Sequence, residues 1–397
     1  MFTLRARAFG LATTILLTGG LRADAQKAPE QDPFADIAVA HGAEATPAPA
    51  QSWMNRFTHS NFGFRKEIMS EFTFDQDGNA ASRQSLGFEV LKKFSTETST
   101  LASFNFQGRM VRRDGFNPVM NDMEGQSRPG WAFEYHNVYL DFYNVLNPLL
   151  GSERKGKNAG RFNIRAGRFY VPFGLNTQTD THGTVLQLSN EDNFGFERDW
   201  YVGMRGMVNR HFNYDAYYMV GSGYALRYNG QRGLAALRLS LAGQYSARYG
   251  LEGGLSVIAG DRLAAGHGGK IRPVSTQRIG LDGRYRHAVN RGTLTFTNEI
   301  SGGLDARNSV FTELHEGEYL HASRRWGLAT QYRRFWQDPT GVDASVVGEV
   351  SWYFRNDPGS SNLHWVKFDV ERRLSVKAHG PYSGPFTVIA LQYYLYR

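Results

Sequence analysis

The segment Phe386-Thr-Val-Ile-Ala-Leu-Gln-Tyr-Tyr-Leu-Tyr-Arg397 decides the fold, because its side chains fall into two alternating sets. Ile389 and Leu391 lie on one face of an extended strand, and Gln392 lies on the other. Strands of this type recur back to Asn61, with aromatic or aliphatic side chains on one face and charges or amides on the other. The pattern predicts a transmembrane β-barrel with lipid outside and water inside.

The strand count follows from reading turn signals against the alternating runs. The predicted strands cover residues 62–75, 82–94, 98–112, 131–145, 161–172, 199–208, 211–221, 233–245, 248–260, 273–287, 292–304, 309–322, 325–336, 344–355, 361–374 and 385–396. We therefore expect an all-β fold, a transmembrane antiparallel β-barrel of about sixteen strands. A barrel of that size leaves an aqueous channel.

The connections between these strands alternate in length, as the two ends of such a barrel require. Tight turns are predicted at 95–97, 209–210, 247, 287–291 and 323–324, and longer outer connections at 113–130, 173–198, 224–231 and 260–271. The segment 146–160 is long for the short-turn end, so it is either an excursion or a slip in register.

Composition supports the same fold class. Apolar residues make up 41% of the chain, mean hydropathy is −0.45, and no stretch after the N-terminus approaches the roughly 18 apolar residues of a spanning helix. A membrane-spanning form must then be a closed barrel. The chain has no cysteine, which excludes disulfides and thiolate sites, and its formal charge of +8 gives no reason to expect nucleic acid as a partner.

Three regions are expected along the chain. Residues 1–25 have the basic start, apolar run and small-residue cleavage site of a secretory signal peptide. Residues 26–60 are rich in Ala and Pro and are predicted to be a flexible periplasmic segment. Residues 61–397 form the predicted transmembrane barrel.

Sorting the strands into faces predicts a hydrated lumen lined by both charge signs. In the first strand, for example, Phe64 and Ile68 point outward while Arg65 and Glu67 point inward. The competing interpretation is a soluble β-sandwich, but aromatic residues crowd the apolar face near strand ends, as in an interfacial belt.

The segment Arg161-Phe-Asn-Ile-Arg-Ala-Gly-Arg-Phe-Tyr-Val-Pro-Phe-Gly-Leu-Asn176 resembles a strand-ending motif of the phosphate-selective (O/P-type) porin superfamily of Gram-negative bacteria. This resemblance implies an outer-membrane porin, outer-membrane lipid as surroundings and a homo-trimer, with subunits expected to meet at the first and last strands. It also implies that the third outer loop folds inward and narrows the channel.

The third outer loop and a basic wall are the predicted pore constriction. The acidic or titratable loop residues are Asp180, His182, Glu191, Asp192, Glu197 and Asp199, and the pore-lining basic wall is Arg65, Arg109, Arg161, Arg165 and Arg205. Opposed charges would set a transverse field that orients dipolar solutes. Alternatively, the loop is a solvated lid over the outer mouth. Alternation points Arg168 at lipid, so we expect a bulge at Gly167 or a position at the rim.

The sequence gives no sign of catalysis, metal or cofactor. Its histidines are dispersed, with no pair at metal-ligand spacing, and no Ser-His pair has a recognisable third member. The leading hypothesis is a passive diffusion channel for small hydrophilic solutes, with an anion or phosphate preference left open, and not an enzyme. The alternative is a non-conducting outer-membrane barrel that acts as an adhesin, tether or barrel-borne hydrolase.

Overall fold

A computed structural model describes residues 61–95, 100–115, 130–146, 160–175, 189–265, 271–357, 362–375 and 384–397 of the chain. The predicted signal peptide and the 26–60 segment lie outside these ranges. None of the helices within them is long and apolar enough to cross a membrane.

The described chain forms a single closed antiparallel barrel of sixteen strands, each hydrogen-bonded to its neighbours in sequence. In chain order the strands are β1 Phe62–Asp75, β2 Ala80–Ser95, β3 Thr100–Asp114, β4 Gly130–Phe142, β5 Asn163–Tyr170, β6 Arg198–Met207, β7 Phe212–Met219, β8 Gly233–Leu241, β9 Leu251–Ala265, β10 Ile271–Val289, β11 Gly292–Asp305, β12 Asn308–His321, β13 Trp326–Gln337, β14 Gly341–Asp357, β15 Asn362–Ser375 and β16 Phe386–Tyr396. Two short helices, α1 Ser189–Phe194 and α2 Gly243–Tyr249, interrupt the connections. The predicted fold class and strand count are confirmed.

The terminal segment closes the ring, because β16 pairs with β1 as well as β15. The β1–β16 ladder runs from Glu67 opposite Tyr396 to Asp75 opposite Val388. It continues to the last residue, since Lys66 N donates to Arg397 O at 2.7 Å and Arg397 N donates to Lys66 O at 2.9 Å. Closure leaves no strand edge exposed. We call the end that carries the β1–β2, β3–β4 and β5–β6 connections the upper end.

The barrel wall has an apolar outer face and a polar inner face, as the alternation predicts. On β10, Ile279 and Leu281 are 56% and 64% exposed on the outside, whereas Arg278 and Asp282 between and beside them are buried inside. Large exposed apolar side chains occur in the same way on all parts of the ring, from Phe72 on β1 to Leu391 on β16.

One predicted tight turn is wrong. The connection at Ala247 is not a turn between two long strands but the helix α2, which starts after β8 ends at Leu241. The helix stops at Gly250, whose φ of 64° is left-handed and whose N–H donates to Ser246 O. Alternation had already been lost after Leu241, and Gly250 supplies the conformation that a helix end needs.

The predicted 260–271 connection is also too long. Strands β9 and β10 stay paired up to Ala265 opposite Ile271, which leaves only 266–270 as the connection. The inner face holds this extension together, because Arg262 Nε donates to Thr276 Oγ1 across the two strands at 3.0 Å. By contrast, β4 and β5 pair without a register shift on either side of 146–160, so no slip in register occurs between these two strands.

Candidate functional site

The connection between β5 and β6 enters the barrel, as the sequence led us to expect. Its first leg leaves β5 after Tyr170 and crosses to the far wall, where Gly174 N donates to Ser256 Oγ on β9 at 3.1 Å. Leu175 N then donates to Glu299 Oε1 on β11 at 3.2 Å. Ser256 and Glu299 face inward, so the leg lies inside the lumen. We call this connection the inner loop.

The wall is shaped to receive the first leg. A Cβ added to Gly280 on β10 would lie 2.7 Å from Cζ of Phe173, so the absent side chain makes room for the ring. Phe173 packs edge-on against Phe194 of α1, with ring centroids 5.3 Å apart. The two legs therefore hold each other against β10.

The second leg is fixed by Asn193 of α1, which is 1% exposed. Its Oδ1 accepts hydrogen bonds from Ser301 Oγ on β11 at 2.8 Å and from Thr312 Oγ1 on β12 at 3.0 Å. Its backbone carbonyl accepts a hydrogen bond from Arg278 Nη2 at 3.3 Å. One asparagine thus ties the inner loop to three neighbouring strands.

Two arginines of the far wall complete this docking site. Arg262 Nη1 donates to Phe194 O at 2.9 Å, and Arg262 and Arg278 both pair with Asp305, at 3.0 and 2.9 Å. Asp305 therefore offsets one of the two positive charges that hold the loop backbone. Charge-assisted bonds of this kind are stronger than neutral ones.

An apolar cluster fills the space between the inner loop and the near wall. Its members come from the loop and from β4 to β9: Tyr139, Phe169, Tyr170, Val171, Phe173, Phe194, Phe196, Tyr201, Tyr217, Met219, Leu234, Ala236 and Ile258. Because this side of the lumen is packed, the loop is held from both walls. A loosely attached lid over the mouth does not fit these contacts.

The predicted loop acids are only partly within the described residues. Asp180 and His182, and the side chains of Glu191 and Asp192, lie outside them. Glu197 pairs with the adjacent Arg198 at 2.9 Å. Asp199 belongs to β6, and its carboxylate accepts hydrogen bonds from the backbone N–H groups of Gly221, Ser222 and Gly223. Its observed contacts therefore anchor the β7–β8 connection.

The predicted basic wall lies along inward faces at different heights. Arg65 pairs with Glu89 at 3.2 Å, and Arg165 forms a bidentate pair with Asp141, with both distances 2.7 Å. Arg205 is opposite Asp215 in the β6–β7 register. Arg161 precedes β5 at its lower end, away from the inner loop. Whether these arginines and the loop acids form a constriction stays a prediction.

Arg109 pairs with a carboxylate two strands away, a contact that the sequence did not lead us to expect. Its guanidinium reaches from β3 over Gly87 of β2 to Glu67 on β1, with Nη2 and Oε2 2.6 Å apart. A Cβ on Gly87 would lie 2.9 Å from Arg109 Cγ, so the glycine is the gap through which the arginine passes. Its Nη1 also contacts His136 Nδ1 at 2.8 Å.

The same arrangement recurs on the other side of the ring. Arg238 of β8 crosses Gly254 of β9 and pairs with Asp282 of β10 at 2.6 Å. A Cβ on Gly254 would lie 2.8 Å from Arg238 Nη2. In both places an arginine and a carboxylate two strands apart neutralise each other across a glycine. An alternating strand that contains an inward glycine between such residues is the sequence signal for this pairing.

Arg168 is outward-facing but only 1% exposed, because other protein groups cover it. The expected bulge at Gly167 is absent, because β5 pairs with β4 and with β6 without a register shift there, although Gly167 has a φ of 131° and a Cβ on it would lie 2.1 Å from Val138 O. Arg168 instead lies two residues from the upper end of β5. The Arg168 guanidinium donates to the carbonyls of Tyr135 and His136 and lies over the Tyr224 ring, which stacks on Tyr135.

The β7–β8 connection supplies the cover over Arg168. Burial raises the pKa of Tyr224 in this connection to about 12. Its hydroxyl therefore stays protonated at neutral pH and can donate to Phe133 O, 3.3 Å away. Trp200 Nε1 donates to Tyr224 O at 3.2 Å and so holds the backbone of Tyr224 in place over Arg168.

No group of three or more His, Asp or Glu side chains that could hold a metal ion occurs in the part of the chain that the structure describes.

Comparison with known proteins places this barrel among porins by shape. It matches Pseudomonas putida OprB with a TM-score of 0.56 at 10% identity, covering 85% of this chain and 94% of that one. It matches an anion-selective porin from Comamonas acidovorans with a TM-score of 0.51 at 10% identity, covering 85% and 98%. It matches the trimer form of OmpT, an outer membrane protein of Vibrio cholerae, with a TM-score of 0.50 at 13% identity, covering 84% and 98%.

Sequence comparison adds nothing to these likenesses, since no family model and no curated protein matches the chain. The structural matches extend over nearly the whole length of each of these three chains. The chain therefore has a porin-like fold, a closed sixteen-stranded barrel.

Proposed function

We propose that the protein is a porin of the Gram-negative outer membrane, a passive diffusion channel for small hydrophilic solutes, including anions. The observation that carries this proposal is a barrel with an apolar outer wall, a charged inner wall and one connection folded inside. Lipid fits the apolar outer wall, and hydrated ions fit the charged inner wall. The inner loop would narrow the path of the ions through the barrel. The fold likeness to an anion-selective porin supports the anion component. A homo-trimer in outer-membrane lipid is part of the proposal.

Single-channel conductance in a planar bilayer tests the proposal directly. We expect steady current steps, with a small reversal potential under a salt gradient because inner-wall charges of both signs are paired. Competition by added phosphate tests the finer expectation of a phosphate preference. Absence of current steps from protein that is folded and inserted, as judged by heat-modifiable mobility in SDS gels, would contradict the channel.

A second candidate is a non-conducting barrel that acts as a tether, adhesin or hydrolase. The observation in its favour is that several inner-wall polar side chains are almost fully buried, including Arg109 and Gln392 at 0% exposure. The same recordings separate the two candidates, since this one predicts no current.

The Arg238–Asp282 pair offers a test of how the wall sets selectivity. With both charges present the pair is nearly neutral, so Asp282→Asn should leave an uncompensated cation and shift the reversal potential toward anion selectivity. Arg238→Gln should shift it in the opposite direction, and the double variant should return close to the unaltered protein. Glu313→Gln on the outer face is the matched control and should have no effect. Shifts of equal sign in the two single variants would show that this pair does not border the ion path.

A further inference from the structure

The connections at the lower end of the barrel carry exposed arginines and no acidic residues. The described lower connections are 208–211, 242–250, 290–291 and 322–325, and none of these four ranges contains Asp or Glu. They hold five exposed arginines: Arg210, Arg248, Arg291, Arg324 and Arg325. We call these five residues the basic rim.

The positive charge of the basic rim is not offset by neighbouring side chains. Among the residues that the structure describes, no carboxylate pairs with any of the five arginines. Arg210 Nε donates to His211 Nε2 at 2.8 Å, and Arg248 lies over the Tyr249 ring, 5.2 Å from its centroid. By contrast, Arg286 lies on the inner face at the same end and pairs with Glu252 at 2.6 Å. The rim therefore carries a net positive charge that the adjacent inner wall does not.

The upper end does not share this charge. Its described connections are 76–79, 220–232, 306–307 and 338–340. They contain acids as well as arginines, with Asp77 and Asp338 on two of them. Arg232 in the β7–β8 connection is paired, since its Nε lies 2.7 Å from Asp261 Oδ2. The excess of unpaired arginines is thus a property of one end of the barrel.

Aromatic side chains fix the depth of the basic rim in a membrane. Tyr319 near the lower end of β12 donates from its hydroxyl to the backbone carbonyl of Arg291 at 2.7 Å. Its ring centroid lies 5.4 Å from that of Trp326, the residue that follows Arg325. Aromatic rows near strand ends mark the membrane interfaces of a barrel. The rim arginines therefore begin where the hydrocarbon ends, at the level of lipid headgroups.

We propose that the basic rim binds the anionic headgroups of phospholipids in the leaflet around the lower end. A guanidinium suits this ligand, because it donates several hydrogen bonds to the oxygens of one phosphate group. The five arginines are spread along the circumference, on connections from β6–β7 round to β12–β13. A docked macromolecule would contact one patch of the rim, whereas lipid headgroups border the wall on every side.

This binding would give the barrel a preferred lipid as well as a preferred depth. Arginines near a membrane surface attract anionic lipids, and the attraction weakens within a Debye length. The inference rests on the membrane location that the proposed function assigns, and it does not depend on conduction. A failure of the lipid preference can therefore be told apart from a failure of the membrane location.

Tryptophan quenching in lipid vesicles measures the preference. The probe is phosphatidylglycerol with brominated acyl chains, added as a minor component to phosphatidylcholine, and brominated phosphatidylcholine is the neutral reference. Both leaflets have the same composition, so the direction of insertion does not matter. Trp326 and the 51% exposed Trp352 lie near the lower end, opposite each other in the β13–β14 register. We expect the brominated anionic lipid to quench more strongly than its neutral counterpart, and the excess to shrink as salt is added.

Removing the rim charges should remove the excess. Replacing Arg291, Arg324 and Arg325 together by glutamine should lower the excess quenching at least about threefold, because each cation near the surface adds to the attraction. The matched control variant replaces three exposed arginines of the upper end by glutamine: Arg227, Arg272 and Arg307. It should keep the excess. Heat-modifiable gel mobility checks that both triple variants are folded.

Each other outcome counts against a definite part of the argument. Equal quenching of the unaltered protein by the two brominated lipids would overturn the lipid preference and leave the membrane location standing. Absence of quenching by either lipid would contradict the membrane location, and the preference with it. An equal loss of the excess in the two triple variants would overturn the assignment to the basic rim, because the upper end would then bind anionic lipid as well.

Discussion

Replacing Asn193 and Phe194 together by alanine should raise the single-channel conductance of the barrel and make the current noisier. Asn193 loses two hydroxyl donors on β11 and β12, and Phe194 loses its packing against Phe173. A buried Phe→Ala change costs about 3–5 kcal/mol and each lost neutral hydrogen bond about 1 kcal/mol. Docking weakened by that amount lets the inner loop leave the far wall.

The barrel itself should survive this change, because the sixteen-strand ladder does not include α1. Heat-modifiable gel mobility checks that the double variant is folded before it is recorded. Phe368→Ala on β15, where the ring faces outward and is 46% exposed, is the matched control and should leave the current unchanged. Equal conductance in the double variant and the unaltered protein would mean that the docked legs do not limit the path.

The strand order and its closure could be predicted because each strand keeps a period of two. Ile389 and Leu391 alternate with Gln392 independently of the neighbouring strands. Closure of the barrel follows because the apolar and the polar face need different surroundings. The helix α2 could not be predicted by this reasoning, since it starts where alternation stops and depends on Gly250 taking a left-handed conformation. Local signals of that kind compete with a pattern that spans the whole chain.

The site was harder to predict, because it depends on height along the strands and on register. Asp199 lies at the upper end of β6 and Arg205 near its lower end, and alternation alone does not give such differences in height. Pairs such as Arg109 with Glu67 join strands that are not adjacent, so no reading of a single strand finds them. Register comes only from the assembled ring.

Replacing Gly87 by valine should give the largest loss of stability of any single change proposed for the wall. A side chain at this position collides with Arg109 Cγ and with Glu67 Cβ, at 2.9 and 3.1 Å from the new Cβ. The guanidinium must then leave Glu67, which is 3% exposed and surrounded by other wall side chains. Separating a buried ion pair in this way costs about 3–5 kcal/mol.

Urea unfolding of the purified protein in lipid vesicles measures this loss as a change in the free energy of unfolding. Gly348→Val is the matched control: this glycine is also within a strand, but it faces outward and a Cβ there meets nothing within 4 Å. Valine favours strands, so the control should be neutral or slightly stabilising.

A third variant separates charge from volume. Glu67→Ala with Arg109→Ala in the Gly87→Val background leaves no charges to be parted and removes Arg109 Cγ and Glu67 Oε1, so that of these contacts only Glu67 Cβ at 3.1 Å remains. It should regain part of the lost free energy even though two large side chains are missing. If instead the triple variant is less stable than Gly87→Val alone, packing around the glycine and not the ion pair holds these three strands together. The inward glycines Gly87 and Gly254 would then serve backbone fit.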